Sequence, residues 1–405
     1  MAQLKVLISG VGLGGLCLAH TLRRHGVDVD VFERDTSPWD RPQGYRLHID
    51  ADGVDALYQS LTPDLYRLFD ATSMKPLPFT TIVDTNLAIQ RRLPSDEHGS
   101  THAQSSHGLP SHVNVNRATL RQILFTGLED IVHFGKRLSQ YDSDETGVTM
   151  TFDDGTQATG DLLVGADGIR SAVRTQRVPQ ADIQDTGVRA IYGRIPIGAA
   201  LTFVPAQARE DVFTVAISAE KLFLGLGPVV FPTRPDVAAS QFMPEAELRP
   251  HDDYVVCIIG GRTDLFGKDD ARLRALRSED LQELSVGLMK DWPERARAIP
   301  AHGDPTSFFF VEMYTSIPCE MPRSANVTLL GDAIHAMTPP LGRGANVAMR
   351  DGALLGRHLA EVAHGRRHLP DALRAYEDDM TRYGFDVVRQ SAALGARLMG
   401  QNPLP

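Results

Sequence analysis

The chain is poor in cysteine, with three among 405 residues, and these lie far apart. Cys17, Cys257 and Cys319 form neither a disulfide framework nor a CxxC metal motif, which fits a reducing compartment. We expect each of them to be a small buried side chain. The cysteine content therefore excludes a protein held together by disulfides.

The chain also lacks an excess of basic charge. It has 41 Lys and Arg against 51 Asp and Glu, a formal net charge of −10. A nucleic-acid-binding protein needs a basic face for phosphate contacts, so this class is disfavoured. The 42% of apolar residues exclude a disordered chain. The length suggests two or three domains.

No apolar run is long enough to span a membrane. The apolar stretch from Val6 to Leu22 contains no Asp, Glu, Lys or Arg and follows Lys5, as in a signal peptide. It is shorter than the roughly 20 apolar residues of a membrane span, and it contains four glycines that would weaken an inserted helix. We therefore expect no membrane span and a cytoplasmic protein.

The same stretch begins a βαβ pattern. A short apolar run from Leu4 to Ser9 predicts a strand, and GxGxxG follows with glycines at positions 10, 12 and 15. Leu16 to Arg24 has helical spacing, and Val27 to Glu33 alternates as a second strand. Together these features indicate a dinucleotide-binding unit; the alternative is a glycine-rich turn without a ligand.

Each residue type in this unit has a chemical reason. Gly10 permits the tight turn, Gly12 lets the backbone approach a pyrophosphate, and Gly15 allows close helix–strand packing. The N–H groups of the helix N-terminus would face the phosphates. Glu33 would accept hydrogen bonds from the adenosine ribose, which favours FAD or NAD over NADP at this site. Arg34 beside it weakens the argument against NADP.

A second signal follows a predicted hairpin, Val148 to Asp161. An apolar strand from Leu162 leads to Asp167 and Gly168, just before a predicted helix. This segment is either a second ligand-facing loop or an Asx turn in which Asp167 caps the helix.

A third signal begins with an apolar strand at Val327 that delivers Asp332 to a loop rich in Gly and Pro. Asp332 could hold a polyol such as a ribityl chain. The N–H groups from Gly344 to Asn346, at the start of a predicted helix, could stabilise negative charge on a flavin. The alternative is an ordinary strand–loop–helix crossover. We expect His335 to be structural, and a proton-carrying role is the alternative.

The three motifs, in this order and spacing, resemble those of the single-component (class A) flavoprotein monooxygenases, the family of para-hydroxybenzoate hydroxylase. The resemblance covers nearly the whole chain and includes the tetracycline-inactivating members. It implies an α/β fold: a Rossmann-like FAD-binding domain with an inserted β-sheet-rich substrate domain and a C-terminal helix. The implied FAD-binding domain is discontinuous (1–80, 108–180 and 275–365), the substrate domain comprises 81–107 and 181–274, and 366–405 is a helical segment.

The resemblance also implies a set of residues that bind non-covalent FAD, partly through positions that the motifs already single out. Arg117 would contact FAD from the start of a helix, although Arg117 and Arg121 could instead be solvated surface charges. Arg46 and Leu138 match more loosely. The complete FAD set is Gly10, Gly12, Leu13, Gly14, Gly15, Glu33, Arg34, Arg46, Arg117, Leu138, Asp167, Gly168, Asp332, Pro339, Gly344, Ala345 and Asn346.

The middle of the chain is predicted to form one wall of a substrate cavity. Four apolar runs, 188–196, 212–218, 222–231 and 254–261, read as strands of one sheet. Aromatic side chains on them or between them could line a cavity, with ordinary core packing as the alternative; they are Tyr192, Phe203, Phe213 and Phe223. The segment 95–112 carries four histidines without metal-ligand spacing (His98, His102, His107 and His112), and we expect a surface or lid segment and no metal.

The resemblance implies a reaction in which NADPH or NADH reduces FAD and O2 forms a C4a-hydroperoxide that oxygenates an organic small molecule. Hydroxylation of an aromatic or polycyclic compound is the favoured outcome. The flavin would supply the redox chemistry, so no catalytic side chain is identified. Two alternatives stay open: a flavin-dependent reductase or dehydrogenase, and a non-enzymatic FAD-binding sensor. The sequence decides neither the substrate nor the oligomeric state.

Overall fold

The computed structural model describes residues 4–38, 45–95 and 105–405. Its first layer is a five-stranded parallel sheet in the order β17-β11-β1-β2-β7. Short apolar runs form the central strands and are almost wholly buried, as expected for a sheet covered on both faces. The strands are β1 Lys5–Ser9, β2 Asp28–Phe32, β7 Val132–His133, β11 Leu162–Gly165 and β17 Val327–Leu329.

Helices share one apolar core with this sheet. They are α1 Leu13–Arg24, α2 Ala51–Ser60, α3 Pro63–Thr72, α4 Arg117–Phe125, α5 Ala172–Arg177, α12 Asp332–His335 and α13 Gly344–Ala363. Glycines let α1 and α13 pack backbone to backbone. A Cβ on Gly352 would lie 2.3 Å from the carbonyl oxygen of Gly14, and one on Gly356 would lie 2.4 Å from Thr21 Cγ2.

The second layer is a seven-stranded sheet in the order β16-β12-β15-β14-β13-β4-β5, antiparallel except where β4 pairs with β13. Its strands are β4 Leu77–Val83, β5 Ile89–Pro94, β12 Ile183–Pro196, β13 Asp211–Ile217, β14 Phe223–Val229, β15 Tyr254–Arg262 and β16 Phe309–Ser316. Associated helices are α6 Ile197–Phe203, α7 Ala206–Glu210, α8 Pro235–Phe242, α9 Asp270–Ala275, α10 Ser278–Leu288 and α11 Glu294–Ala301. Trp292 and Ile299 are buried in one apolar cluster with Leu224 and Ile259 of the sheet.

Two smaller sheets complete the fold. β3 Arg46–Ile49 pairs antiparallel with β6 Val113–Asn116. β8 Leu138–Asp144, β9 Gly147–Phe152 and β10 Gln157–Gly160 form a three-stranded antiparallel sheet. The predicted hairpin at 148–161 is therefore present as β9 and β10.

The C-terminal helix α14, Leu369–Met399, returns along the molecule for 31 residues. The buried hydroxyl of Tyr376 donates to the Leu329 carbonyl at 2.9 Å, and Ser391 Oγ donates to the Thr338 carbonyl at 2.6 Å. α14 therefore fixes both the β17 edge and the loop before α13. Within the described ranges, no helix is long and apolar enough to cross a membrane.

The predicted fold class is confirmed: a parallel α/β layer, a separate β-rich sheet and a C-terminal helix. The predicted division into domains stays a proposal. Strand β16 lies inside 275–365, which we assigned to the FAD-binding part, yet it hydrogen-bonds along β12 of the other sheet. A division that follows the sheets would therefore move 309–316 into the second domain.

Candidate functional site

A cavity of about 1680 Å³ lies between the two layers. The carboxyl ends of four parallel strands open into it: Gly10 follows β1, Glu33 follows β2, Asp167 follows β11 and Asp332 follows β17. The carboxyl edge of an α/β sheet is the usual place for a ligand, because loops there converge. The three motifs that lie far apart in the sequence thus meet in one cavity.

The glycine loop has the tight geometry expected from GxGxxG. Gly10 has φ +113°, and a Cβ on it would lie 2.4 Å from the Ala166 carbonyl oxygen. A Cβ on Gly15 would lie 2.4 Å from the Gly10 carbonyl oxygen. Gly12 differs, since a Cβ on it would meet only the Ala166 carbonyl oxygen, at 3.8 Å, and its surface is open to the cavity.

The N-terminus of α1 presents backbone donors to the same space. Gly12 is its N-cap, so no side chain caps it, and the first turn has no acidic residue. Unpaired N–H groups at a helix N-terminus favour an anion. These features fit the pyrophosphate of a dinucleotide.

Glu33 lies beside this loop and is tied to it. Its Oε2 accepts from the Val11 N–H at 2.9 Å, and its Oε1 accepts from the Asp35 N–H at 3.1 Å. The Lys136 N–H donates to the Glu33 carbonyl at 2.8 Å, so the segment before β8 adjoins the end of β2. Basic side chains near this end line the cavity and suit a phosphate-bearing ligand: they are Arg34, Lys136, Arg137 and Arg170.

Asp167 caps α5. Its carboxylate accepts from the Ser171 hydroxyl at 2.5 Å and from the Ala172 N–H at 2.8 Å. Burial raises the pKa of Asp167, and these hydrogen bonds oppose the rise. Asp167 thus supports the first turn of α5, as its alternative role predicts, but through residues four to six positions on and not through an Asx turn. Gly168, at φ +77°, lies in the cavity wall. A cofactor contact at Asp167 and Gly168 stays a prediction.

Asp332 is the first residue of α12, and its side chain is open to the cavity. Desolvation raises the pKa of Asp332, while His335 and Arg117 lower it. Burial also raises the pKa of Tyr192 to about 12, again against the opposing charge of Arg117. Arg117 therefore lies near both Asp332 and Tyr192 of the second sheet. It is a cavity residue and not a solvated surface charge.

The loop before α13 forms the next part of the wall. Pro339–Leu341 is a 3-10 turn, Gly342 follows at φ +65°, and α13 starts at Gly344 with no side-chain cap and no acidic residue in its first turn. Arg343 connects this loop to the start of α2 and to α14. It contacts Asp50 at 3.3 Å and Asp52 at 2.5 Å, and it also bonds the Tyr383 hydroxyl.

Asn346 is placed differently from expectation. Its side chain is fully buried and is not part of the cavity wall; it bonds the backbone of residues 48, 50 and 342. It is drawn inward because the start of α2 offers an N–H that needs an acceptor. All other predicted FAD residues line the cavity: Gly10, Gly12, Leu13, Gly14, Gly15, Glu33, Arg34, Arg46, Arg117, Leu138, Asp167, Gly168, Asp332, Pro339, Gly344 and Ala345.

Three of the four predicted substrate residues, Tyr192, Phe213 and Phe223, line the same cavity. Phe203 does not. It ends α6 and stacks on His302, with ring centroids 3.8 Å apart, because the chain leaves the sheet after β12 and continues as a helix. We therefore withdraw it from the site.

The sequence missed other lining residues. Phe309 and Phe310 of β16, and Leu394 and Leu398 near the end of α14, complete the apolar wall. β16 was not predicted, so its aromatic residues carried no signal. The ring of Phe309 stacks on Tyr192 with centroids 5.5 Å apart.

His335 is structural, as expected. It is fully buried outside the cavity wall, and its Nε2 lies 2.6 Å from Asp351 Oδ2. Of the predicted lid segment 95–112, residues 96–104, with His98 and His102, lie outside the described residues. Among the residues that the structure describes, no group of three or more His, Cys, Asp or Glu could hold a metal ion.

Comparison with known proteins agrees with this geometry. A family profile described as an FAD binding domain matches residues 3–253 and 288–391. The chain is 36% identical over 386 residues to the dual O-methyltransferase/FAD-dependent monooxygenase elcB of Phaeosphaeria nodorum, a match that covers 89% of this chain and 40% of that protein. The chain thus spans less than half the length of this curated relative.

Solved structures share the whole fold. A proposed FAD-containing monooxygenase from Photorhabdus luminescens superposes with a TM-score of 0.80 at 28% identity and covers 97% of this chain and 98% of its own. Klebsiella pneumoniae HpxO, solved with FAD and uric acid, superposes with a TM-score of 0.75 at 24% identity, over 98% of this chain and 89% of its own.

Proposed function

The chain belongs to the FAD binding domain family, and from this premise we propose that it is an FAD-dependent monooxygenase. In this proposal it uses NADPH or NADH and O2 to insert one oxygen atom, most simply as a hydroxyl group, into an aromatic or polycyclic small molecule. The relatives are named monooxygenases, which supports this activity, although the chain matches only 40% of the length of the elcB protein.

One observation carries the proposal: the dinucleotide-binding motifs and a set of aromatic side chains lie on opposite sides of a single cavity. We call the first side the floor and the second the aromatic wall. The glycine loop, Glu33 and Asp332 lie on the floor, and Tyr192 and Phe213 lie on the opposite sheet. A volume of about 1680 Å³ exceeds the roughly 300–1,000 Å³ of an ordinary small-molecule pocket. A dinucleotide and an organic substrate can therefore share it.

The described residues fit FAD. The space beside Gly12 is open, because an added Cβ would have only the Ala166 carbonyl oxygen within 4 Å. The uncapped N-terminus of α1 faces this space. Glu33 would bind the ribose, Asp332 the ribityl chain, and the first turn of α13 the pyrimidine edge of the flavin. When bound, FAD supplies the redox chemistry; the chain binds it, orients it and excludes water.

The aromatic wall supports a flat organic substrate. Tyr192 and Phe309 are stacked side by side, and Phe213 and Phe223 lie on neighbouring strands. Aromatic side chains bind ring systems through offset stacking and apolar burial. The cavity wall also contains the carboxylate of Glu312, but its charge is balanced by Arg274, whose Nε lies 2.6 Å away.

The test is NAD(P)H oxidation by the purified FAD-loaded chain with a panel of aromatic compounds, under isotopically heavy O2. We expect substrate-stimulated oxidation and one heavy oxygen atom in the product. Oxidation that yields only peroxide or a reduced substrate would favour a reductase or dehydrogenase. No NAD(P)H consumption with any compound would favour a sensor, and either result would contradict the proposal.

A further inference from the structure

The residues that follow α14 cross from this helix to the second sheet. We name residues 400–403 the C-terminal strap. The N–H of Asn402 donates to the Thr186 carbonyl at 2.8 Å, and Nε2 of Gln184 donates to the Pro403 carbonyl at 2.9 Å. Both partners belong to β12, so the strap is hydrogen-bonded to this strand of the second sheet.

The neighbouring strand β15 also holds the strap. Nη1 of Arg262, the last residue of β15, donates to the Gly400 carbonyl at 3.0 Å and to Asn402 Oδ1 at 2.7 Å. Nδ2 of Asn402 donates to the Asp185 carbonyl at 3.2 Å. Hydrogen bonds from a guanidinium are stronger than neutral ones. The strap is thus fixed to two strands by a residue, Asn402, that is not part of the cavity wall.

Gln401 contacts a different part of the molecule from its neighbour Asn402. Its side chain is buried, and its Oε1 accepts from the Thr338 hydroxyl at 2.7 Å. Thr338 begins the loop before α13, residues 338–343, and lines the cavity. Gln401 therefore connects the C-terminal strap to the cavity wall.

The interior of α14 leaves space for this side chain. A Cβ on Gly395 would lie 2.2 Å from Gln401 Oε1, so a larger residue would displace the amide. The Gln401 N–H donates to the Gly395 carbonyl at 3.2 Å, and Gly400, at φ +66°, ends the helix in the left-handed conformation. Glycine lowers the stability of a helix interior, and here it leaves the space that the Gln401 amide occupies.

The loop before α13 is held by side chains from outside it. Its prolines, Pro339 and Pro340, have no N–H to donate. Ser391 of α14 donates to the carbonyl of Thr338, and Gln401 accepts from the hydroxyl of the same residue. A displacement of the strap on the second sheet would therefore reach this loop through Gln401.

We propose that the C-terminal strap holds the loop before α13 in the position that FAD binding needs, with Gln401 as the positioning residue. The inference rests on the proposed function, in which this loop borders the flavin. Gln401 acts through Thr338, since it is not itself part of the cavity wall. The strap thereby links the floor of the cavity to the sheet that carries the aromatic wall and keeps the two at a fixed spacing.

The first test removes the acceptor at Gln401. Gln401→Leu has a side chain of similar size but cannot accept from the Thr338 hydroxyl, which is left buried without its partner. The FAD dissociation constant should rise roughly tenfold, the effect of one lost buried hydrogen bond. Gln180→Leu, at an exposed glutamine of the surface, should leave the dissociation constant unchanged.

The second test acts on the second sheet, away from the cavity wall. Asn402→Ala removes the acceptor of Arg262, whereas Asn402→Asp retains an oxygen at that position. We expect Asn402→Ala to raise the FAD dissociation constant by about threefold or more. Asn402→Asp should bind FAD nearly as tightly as wild type.

Hydrogen–deuterium exchange of the apo chain measures the loop without the cofactor. The amides of residues 341–344 should exchange faster in Gln401→Leu and Asn402→Ala than in wild type, because local opening of the loop costs less free energy. The amides of the glycine loop, residues 10–15, should keep their rates. This difference separates a role in positioning the loop from a general loss of stability.

Unchanged exchange of residues 341–344 in both variants would overturn the inference. Faster exchange of these residues with an unchanged FAD dissociation constant would overturn it as well, and so would equally faster exchange of the glycine loop. A wild-type chain that binds no FAD would contradict the proposed function, while exchange in the apo chain would still decide whether the strap holds the loop.

Discussion

The backbone N–H of Asp50 donates to Oδ1 of Asn346 at 3.1 Å, across 296 positions of sequence. Nδ2 of Asn346 donates to the carbonyls of His48 at 2.9 Å and Gly342 at 3.1 Å. The side chain therefore joins β3, the start of α2 and the loop before α13. It supports the cavity wall from behind.

Asn346→Ala should lower the free energy of unfolding by about 1–3 kcal/mol, because it leaves buried backbone groups without partners. Denaturant unfolding of the apo and FAD-loaded chain measures this. A support role predicts a similar loss in both forms. A loss confined to the FAD-loaded form would mean that the side chain contacts the cofactor.

The contact between α1 and α13 leaves no room for a methyl group. Gly352→Ala would place a Cβ 2.3 Å from the Gly14 carbonyl oxygen, so we expect a destabilisation of about 1–3 kcal/mol from overpacking. Gly287→Ala is the matched control: this glycine lies in α10 with nothing within 4 Å of an added Cβ. The control should stabilise by up to about 1 kcal/mol through helix propensity. Unfolding curves that rank the two variants in the opposite order would contradict the packing.

The buried pair His335–Asp351 should make stability depend on pH. Desolvation lowers the pKa of His335, but the charge of Asp351 and its hydrogen bond at 2.6 Å outweigh it, so the pKa is raised above 6.5. Because the folded state binds the proton more tightly, this stabilisation is complete below the unfolded pKa and is lost as pH rises through the folded value. Unfolding free energies of wild type and His335→Gln should therefore converge as the pH rises from 6.5 through the raised pKa of folded His335. A constant difference would show that His335 is neutral throughout.

Phe213 and Phe203 provide a matched pair of aromatic variants. Phe213 lines the cavity, so Phe213→Ala should weaken binding of an aromatic probe such as para-nitrophenol by roughly tenfold or more. Phe203 packs on His302 outside the cavity, so Phe203→Ala should change stability but not probe binding. Equal effects of the two variants on the probe dissociation constant would contradict the position of the aromatic wall.

Sequence reasoning succeeded where the signal is local. The βαβ unit, the hairpin at 148–161 and α14 follow from short-range periodicity and turn residues, and the structure contains them all. The carboxyl ends of parallel strands meet at one edge, so the convergence of Glu33, Asp167 and Asp332 also follows from the topology.

The misses involve side chains whose partners are distant in sequence. The hydrogen bonds of Asn346 reach about 300 residues back along the chain. His48 pairs with a residue 64 positions away, and the histidines of the segment 95–112 showed no ligand spacing. Phe203 is predicted to line the cavity, whereas it ends a helix and stacks on His302. None of these contacts leaves a periodic trace in the sequence.

A substitution at Gly12 can distinguish an effect on cofactor binding from an effect on folding. An added methyl at Gly12 has room in the protein, and its φ of −80° suits alanine. Gly12→Ala should therefore destabilise the apo chain by no more than about 1 kcal/mol, since Ala is a poorer N-cap than Gly. It should weaken FAD binding by roughly tenfold or more, because the methyl takes space that the pyrophosphate needs. Unchanged FAD affinity would place the pyrophosphate elsewhere.

The most direct measurement of the central claim is an equilibrium titration of the purified apo chain with FAD and, in parallel, with NAD. The cavity predicts saturable binding of one FAD per chain, a flavin absorption spectrum, and release of unmodified FAD on denaturation. A colourless chain that binds NAD but not FAD would contradict the account.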